Sequence, residues 1–412
     1  MTRTHLIGLL LGTEEDWSGA FEAMIARLAP AIEHGGERHE FATERVTIEP
    51  FDLRMQPRHS LVIDRLAHWY YVPREWIKKV ALMDGVYLMN NPFTFQSMEK
   101  HSAYCAMMRL GLKVPDTWLV PYKQPPADER FAYTAERYNR PFDLAEIAGK
   151  IGYPLFMKPF DGGAWVGVSQ VRDARELAAR YDDSGRRLMH LQRAVDGFDV
   201  FARSLSIGAE TMVMHFEPDR PLHDRYQVDH DFLDAATGRE VVTIGRTVNA
   251  FFRWEFNSCE TLIRDGGVHP IDYANACPDV SLISLHYYFP WAIKALLRWT
   301  VYCCATGRTM RVAMDPEEWF AVGDSEQVYE DKLEAYRRLA DDYFEVEAYE
   351  QFCDRHLGHV DEAMADYVDS PGFDQLLVEV GEVLRAPLPV AGGVEVLVGQ
   401  SQVGRDLGVV RQ

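Results

Sequence analysis

The segment Tyr153-Pro154-Leu155-Phe156-Met157-Lys158-Pro159 runs straight into Phe160-Asp161-Gly162-Gly163-Ala164-Trp165-Val166-Gly167-Val168. This join of a short apolar run, a lysine and a glycine-rich turn narrows the possible folds more than any other part of the chain. Such a run reads as a buried strand, and burying a strand takes a sheet. Ending on a cation and leading into backbone with little side-chain bulk, it offers a nucleoside triphosphate an ammonium for its oxygens and free N–H groups for its phosphates. A second lysine, Lys100, closes Asn90-Asn91-Pro92-Phe93-Thr94-Phe95-Gln96-Ser97-Met98-Glu99-Lys100. By itself it is as readily a solvated helix lysine as a second phosphate cation. ATP binding is the leading expectation.

Signals elsewhere place that strand in an α/β protein. Leu6 to Leu11 is apolar, and Phe21, Met24, Ile25 and Leu28 then recur at helical spacing, so the chain opens strand then helix. Leu61–Ile63 and Val86–Met89 read as strands around a helix from Pro73 to Leu82. A helix over Phe95–Leu110 follows, closed by Gly111, and Lys123–Arg140, bounded by prolines, reads as an irregular loop. Strands at Leu155–Lys158, Val166–Val171 and Leu188–Arg193 flank a helix near Ala174–Tyr181. Phe251–Asn257 and Val268–Asn275 read as a hairpin across Asp265-Gly266-Gly267. The aromatics of Tyr287–Trp299 fall at helical spacing and suit packing on a sheet; Tyr329–Leu357 is charged and helical. The expected division is an open α/β unit at 1–90, a central unit at 91–310 and a mainly helical extension at 311–412.

Composition excludes some partners. With 412 residues, 47% hydrophobic, the chain can bury a large core. A net charge of -20 argues against broad nucleic-acid binding, which depends on clustered Lys and Arg. The six cysteines form no CxxC pair or finger spacing and read as reduced thiols. No signal peptide and no membrane-length apolar run is evident, so a cytoplasmic protein is expected.

The order of motifs resembles the ATP-grasp superfamily: Asn-Pro before a lysine-bearing helix, Gly111-x-x-x-Pro115 into a strand, Tyr-Pro-x-x-x-Lys-Pro, a glycine loop, Leu191-Gln192 and an acidic hairpin, spanning roughly Asn90 to Arg308. The resemblance implies an ATP-grasp fold in which Lys100 and Lys158 contact phosphates and Gly162 and Gly163 lie over them. It places Gln192 and Val195 beside the adenine and Asp199 at the ribose. It also implies Mg²⁺, or Mn²⁺, bridging the phosphates.

Alternation along Phe252–Asn257 puts Arg253, Glu255 and Asn257 on one face, giving Glu255 as a metal ligand. Asn275 and Pro278 match the family's closing Asn-x-x-Pro, but Tyr273 stands where the family has an acid. Asp272, three residues before Asn275, is the preferred acid because no other carboxylate lies close, and the two serve as metal ligands together if the strand bulges or ends there. Arg203, five residues before Gly208, and Arg253 are the candidate catalytic guanidiniums; Arg225 is a third. The activity implied is that of a carboxylate–amine ligase of the glutamate ligase or glutathione synthetase type, acting on small-molecule or peptide substrates through an acyl phosphate. The alternatives are a nucleotide-binding scaffold without turnover and an ATP-dependent kinase. The acidic helices after Arg311 offer either a homodimer contact or a cover for the site.

Overall fold

Val62 and Ile63 are wholly buried, as in a central parallel strand covered on both faces. In the computed structural model, which describes residues 1–385 except 13, 14, 29, 30, 48, 95–99, 126, 139, 162, 164, 276 and 277, they lie in the first of three sheets. The first unit runs β1 (Thr2–Leu10), α1 (Asp16–Arg27), β2 (Ile32–His34), β3 (Glu37–Arg45), β4 (Leu61–Asp64), α2 (Tyr71–Met83) and β5 (Tyr87–Met89). Its sheet has the order β2-β3-β1-β4-β5, parallel except for β2. The strand pair β2–β3 was not foreseen, because His34 to Arg45 is mostly polar.

The middle unit comprises α3 (Lys100–Arg109), β6 (Thr117–Val120), α4 (Glu129–Tyr138), α5 (Leu144–Ile151), β7 (Leu155–Pro159), β8 (Ser169–Val171), α6 (Ala174–Ser184) and β9 (Met189–Arg193). Its strands form an antiparallel sheet of order β6-β9-β7-β8. Two expectations need correcting. The stretch Lys123–Arg140 is not all loop: Asp128 accepts from the N–H groups of Arg130 and Phe131 and so caps α4, with the prolines outside it. The strand expected from Val166 begins only at Ser169, since Trp165 and Gly167 take positive φ in the preceding turn.

The third sheet contains β10 (Val200–Ile207), β11 (Glu210–Phe216), β12 (Tyr226–Gln227), β13 (Phe256–Arg264) and β14 (Gly267–Asp272), in the order β12-β11-β10-β13-β14. Between β12 and β13 runs α7 (Ala235–Phe252), which ends on Arg253 in a left-handed conformation, φ 61°. The expected strand Phe251–Asn257 is therefore the end of a helix, its cap, two linking residues and the first two residues of β13. The hairpin turn is present, with Asp265 and Gly266 at φ 50° and 73°.

The remaining helices are α8 (Leu282–Leu285), α9 (Phe289–Thr306), α10 (Glu317–Gly323), α11 (Tyr329–Phe344), α12 (Val346–His356), α13 (Val360–Val368) and α14 (Pro371–Arg385). The helix α9 is apolar nearly all round and accordingly buried, against β10 on one side and α12 and α13 on another. One core joins the first sheet, the third sheet and these helices, while the middle sheet has its own. Among the described residues no helix is long and apolar enough to cross a membrane.

Candidate functional site

Alternation along β7 sends Leu155 and Met157 into the middle sheet's core and leaves Lys158 on the other face. The Lys158 ammonium, 7% exposed, donates to Gln192 Oε1 at 2.8 Å and lies 3.4 Å from the Ile271 carbonyl. Gln192, on the same face of β9, passes the chain on to Thr117 Oγ1 at 2.9 Å. Lys100 comes from α3, whose start is tied to the end of β7 by Lys100 N–H to the Phe160 carbonyl at 3.0 Å. Its ammonium pairs with Asp272 Oδ2. One turn along α3, Tyr104 donates to the Ile271 carbonyl at 2.9 Å.

The third sheet faces these lysines with a row of charge. Arg203 on β10 is in register with Glu260 on β13, and Glu260 with Asp272 on β14. Arg203 lies 4.0 Å from Glu260, beside the rings of Phe216 and Tyr226. Between the pairs Glu260–Asp272 and Thr261–Pro270 the register shifts, so Ile271 is the extra residue of a bulge and β14 ends one residue later. That irregularity puts Asp272 within reach of the cluster together with Asn275, whose Nδ2 donates to Ser258 Oγ at 2.8 Å.

The electrostatics follow from burial among mixed charges. Burial, then the Lys100 ammonium, pulls the Lys158 amine down to about 8, against the pull of Asp272. Burial chiefly, then Asp272, raises the Glu260 carboxyl. For Asp272 burial opposes ionisation, but Lys100 and then Lys158 hold its carboxyl below the ordinary range. Burial, aided by His101 and the lysines, lowers His190 to about 3, so this imidazole beside Lys158 is neutral.

A divalent cation fits this chemistry. Asp272 Oδ1 is buried and has no hydrogen-bond partner among the described residues, with Glu260 alongside and the Asn275 amide near. Among the described residues no three His, Cys, Asp or Glu converge as a closed metal cage. Two carboxylates and an amide suit Mg²⁺, which takes few protein ligands when phosphates supply the others.

Several expected residues lie elsewhere. Glu255 precedes β13 and is buried in a hub with the Tyr87 hydroxyl at 2.7 Å, Trp299 Nε1 at 2.9 Å, the Tyr343 hydroxyl at 3.0 Å and Arg308 at 3.6 Å. Its oxygens are fully used there, so the structure corrects its assignment to the metal. Arg253 caps α7 and spends its guanidinium on the carbonyls of Ala250, Ala313 and Met314. Asn257, with Asn249 and the Tyr273 carbonyl, faces away from the row. Asp199 is exposed and accepts from Asp265 N–H at 2.9 Å, bracing the hairpin turn. Val195 packs partly buried against the main core, and Arg225 is half-buried and bonded to the Arg220 carbonyl. Gly163 accepts from Val166 N–H at 3.2 Å in the turn bearing the exposed Trp165; Gly162 lies outside the described residues.

No protein-family model matches the chain. Among curated proteins, a D-alanine–D-alanine ligase of Lactobacillus helveticus is 32% identical over 117 residues, and one of Streptomyces griseus 25% over 161. The chain is similar to D-alanine–D-alanine ligases. The matches cover 25% and 35% of this chain and span 30% and 41% of those relatives. The resemblance to ATP-grasp carboxylate–amine ligases read from the motifs thus has independent support in sequence. Among solved structures, D-alanyl-alanine synthetase A of Vibrio cholerae aligns at TM-score 0.49 and 13% identity, covering 74% of this chain and 98% of that one. A RimK-domain ATP-grasp protein of Sphaerobacter thermophilus aligns at 0.45 and 14%, covering 66% and 92%.

Proposed function

We propose that the protein is an ATP-dependent ligase of the ATP-grasp type that joins a small carboxylate to an amine. The observation that carries this reading is the row Arg203–Glu260–Asp272 facing Lys100 and Lys158 across two sheets. Cations and carboxylates brought together where the middle and third sheets meet suit a nucleotide with its metal, and the partial match to D-alanine–D-alanine ligases supports the same chemistry. Residues 91–310 form the catalytic unit in this reading, flanked in sequence by units at 1–90 and 311–412, in a cytoplasmic protein.

The chemistry needs no covalent protein nucleophile. A carboxylate oxygen attacks the γ-phosphorus and ADP leaves; the amine then attacks the acyl carbon, phosphate leaves, and the amine nitrogen gives up its proton. Lys100 and Lys158 neutralise phosphate charge, and Gln192 fixes the Lys158 ammonium in place. Arg203 stands beside the carboxylates as the donor for the transferring group. Glu260, Asp272 and Asn275 would hold Mg²⁺, which would supply positive charge to offset that of the nucleotide. The turn bearing Gly163 and Trp165 covers the phosphates and excludes water.

Phosphate release from ATP, screened over D- and L-amino acids and short peptides with mass spectrometry of the product, tests the reading. A carboxylate and amine that together stimulate release and yield an amide support it. A phosphorylated product replaces it by a kinase, and no ATP consumption with any candidate by a nucleotide-binding scaffold.

A further inference from the structure

Asn275 is fastened to the third sheet, while Pro278, three residues beyond it, is fastened to a different one. On β13, Asn257 Oδ1 accepts from the Asn275 N–H at 2.8 Å, and Ser258 Oγ accepts from its Nδ2 at 2.8 Å. The second bond uses the amide nitrogen, so the Asn275 side-chain oxygen, the atom with which an amide meets a hard cation, is the one turned from Ser258. Downstream, the Pro278 carbonyl accepts from Arg65 Nη1, and Leu282 N–H donates to Asp16 Oδ2 at 2.5 Å. Neither Arg65 nor Asp16 comes from the third sheet. Arg65 directly follows β4 and Asp16 opens α1, so both stand at the C-terminal edge of the first sheet, where open parallel sheets gather functional groups. Arg65 is 5% exposed, and its N–H is fixed on the Leu10 carbonyl at 2.8 Å. Burying a guanidinium is costly unless its donors are used, and here one is used on the carbonyl of Pro278, three residues beyond Asn275.

We infer that Arg65 is a positioning residue for the metal: by holding the Pro278 carbonyl it sets where the Asn275 side-chain oxygen stands relative to Glu260 and Asp272. Cation affinity in the nucleotide complex then depends on how the first sheet is docked, with Asp16 as the second, weaker grip. The inference rests on the proposed function, since it presumes that Glu260, Asp272 and Asn275 hold a cation beside a nucleotide.

The test is Mn²⁺ titration of the ADP complex followed by electron paramagnetic resonance, alongside calorimetric titration of ADP without metal. It compares the unaltered protein with Arg65→Met, Arg65→Lys and Glu260→Gln. Groups that orient metal ligands typically govern affinity by about 10-fold or more. Arg65→Met is expected to weaken Mn²⁺ about tenfold while metal-free ADP affinity stays unchanged. Arg65→Lys, which keeps one donor for the Pro278 carbonyl, is expected to recover most of the loss. If Arg65→Met fails to fold, Arg65→Lys and Asp16→Asn carry the comparison, with a smaller loss of Mn²⁺ affinity expected in each. Unchanged Mn²⁺ affinity in the Arg65 variants beside a clear loss in Glu260→Gln overturns the inference and leaves the proposed function standing. An equal loss of metal-free ADP affinity overturns it too, reducing Arg65 to a residue of the fold. An unaltered protein that binds ADP neither with nor without Mn²⁺ overturns the function itself.

Discussion

Glu255 and Glu260 lie on one stretch of chain yet meet opposite surroundings. Glu255 is enclosed by the Tyr87, Tyr343 and Trp299 donors and the Arg308 guanidinium, whereas Glu260 has a like charge, Asp272, on one side and Arg203 on the other. Breaking a buried ion pair from one side typically costs about 3–5 kcal/mol, because the partner stays buried and charged. Glu255→Gln is therefore expected to lower the thermal midpoint clearly while leaving metal-dependent nucleotide affinity near normal once folded. Glu260→Gln should do the reverse. Calorimetry and thermal unfolding on both variants decide it, and equal loss of metal response in the two would count against the division. Lys158 supplies a pH test. With its amine near 8 in the free protein, the charge needed by an anion is lost as pH rises through that value, so metal-free affinity for a non-hydrolysable ATP analogue should fall between pH 7 and 9.5. Lys158→Arg, charged throughout, should flatten the profile. For stability the sign is opposite: the unfolded lysine keeps its proton to about 10.5, so this group's contribution improves as pH rises from about 8 to about 10.5.

At the scale of elements, the turn between β10 and β11 shows how tightly the third sheet sits on α9. Gly208 has φ 55°, and a Cβ there would stand 2.0 Å from Trp299 Cδ2. Backbone strain and overpacking then add, at about 1–2 and 1–3 kcal/mol. Gly208→Ala is expected to cost at least about 2 kcal/mol, read by denaturant unfolding, and a midpoint within error of the parent would show that α9 can yield. The same packing explains what the sequence could and could not disclose. The strand that ends at Lys158 and the Asp265-Gly266 turn rest on local signals, an apolar run and turn chemistry, and both elements are present; Gln192 was reached only through the family resemblance. Glu255 was misplaced because α7 had no clear signal at its end: Arg253 closes it in a left-handed conformation more usual for glycine. With the strand's start shifted, the wrong alternate residues faced the site. Glu260 was nonetheless within reach of counting. A two-residue turn fixes register, and stepping back from Arg264–Gly267 brings Glu260 opposite Ile271 or Asp272, the difference being the bulge. The Glu255 hub had no such handle, since its partners come from β5, α9, the residues just after α9, and α11.

The whole molecule has unequal cores, and this bears on how it would work. The first sheet, the third sheet and the C-terminal helices share one continuous apolar cluster, fastened further by Glu255, which joins Tyr87 of the first sheet to Trp299 and Tyr343 of the helices. The middle sheet has a separate cluster built from residues such as Leu155, Met157, Leu177 and Leu191. Among the described residues its polar ties to the rest near the site include Lys158 to the Ile271 carbonyl, Lys100 N–H to the Phe160 carbonyl, and His101 Nδ1 with His190 Nε2 at 3.4 Å. A unit with its own core and few polar ties opens at lower free energy than the body it leans on. Residues 117–193 are therefore expected to exchange amide hydrogens through a partial opening while β10, β13 and α9 exchange only on global unfolding. A nucleotide bound between the two sheets adds contacts present only when both are in place, stabilising that state by mass action, about 2.7 kcal/mol at a hundredfold excess over Kd. Hydrogen exchange followed by mass spectrometry should thus show protection rising across 117–193 on adding a non-hydrolysable ATP analogue with Mg²⁺, with little change in α9. Protection that rises equally everywhere, or only outside the middle sheet, would mean that the nucleotide does not bridge the two sheets and that the lysines and carboxylates face each other for structural reasons alone.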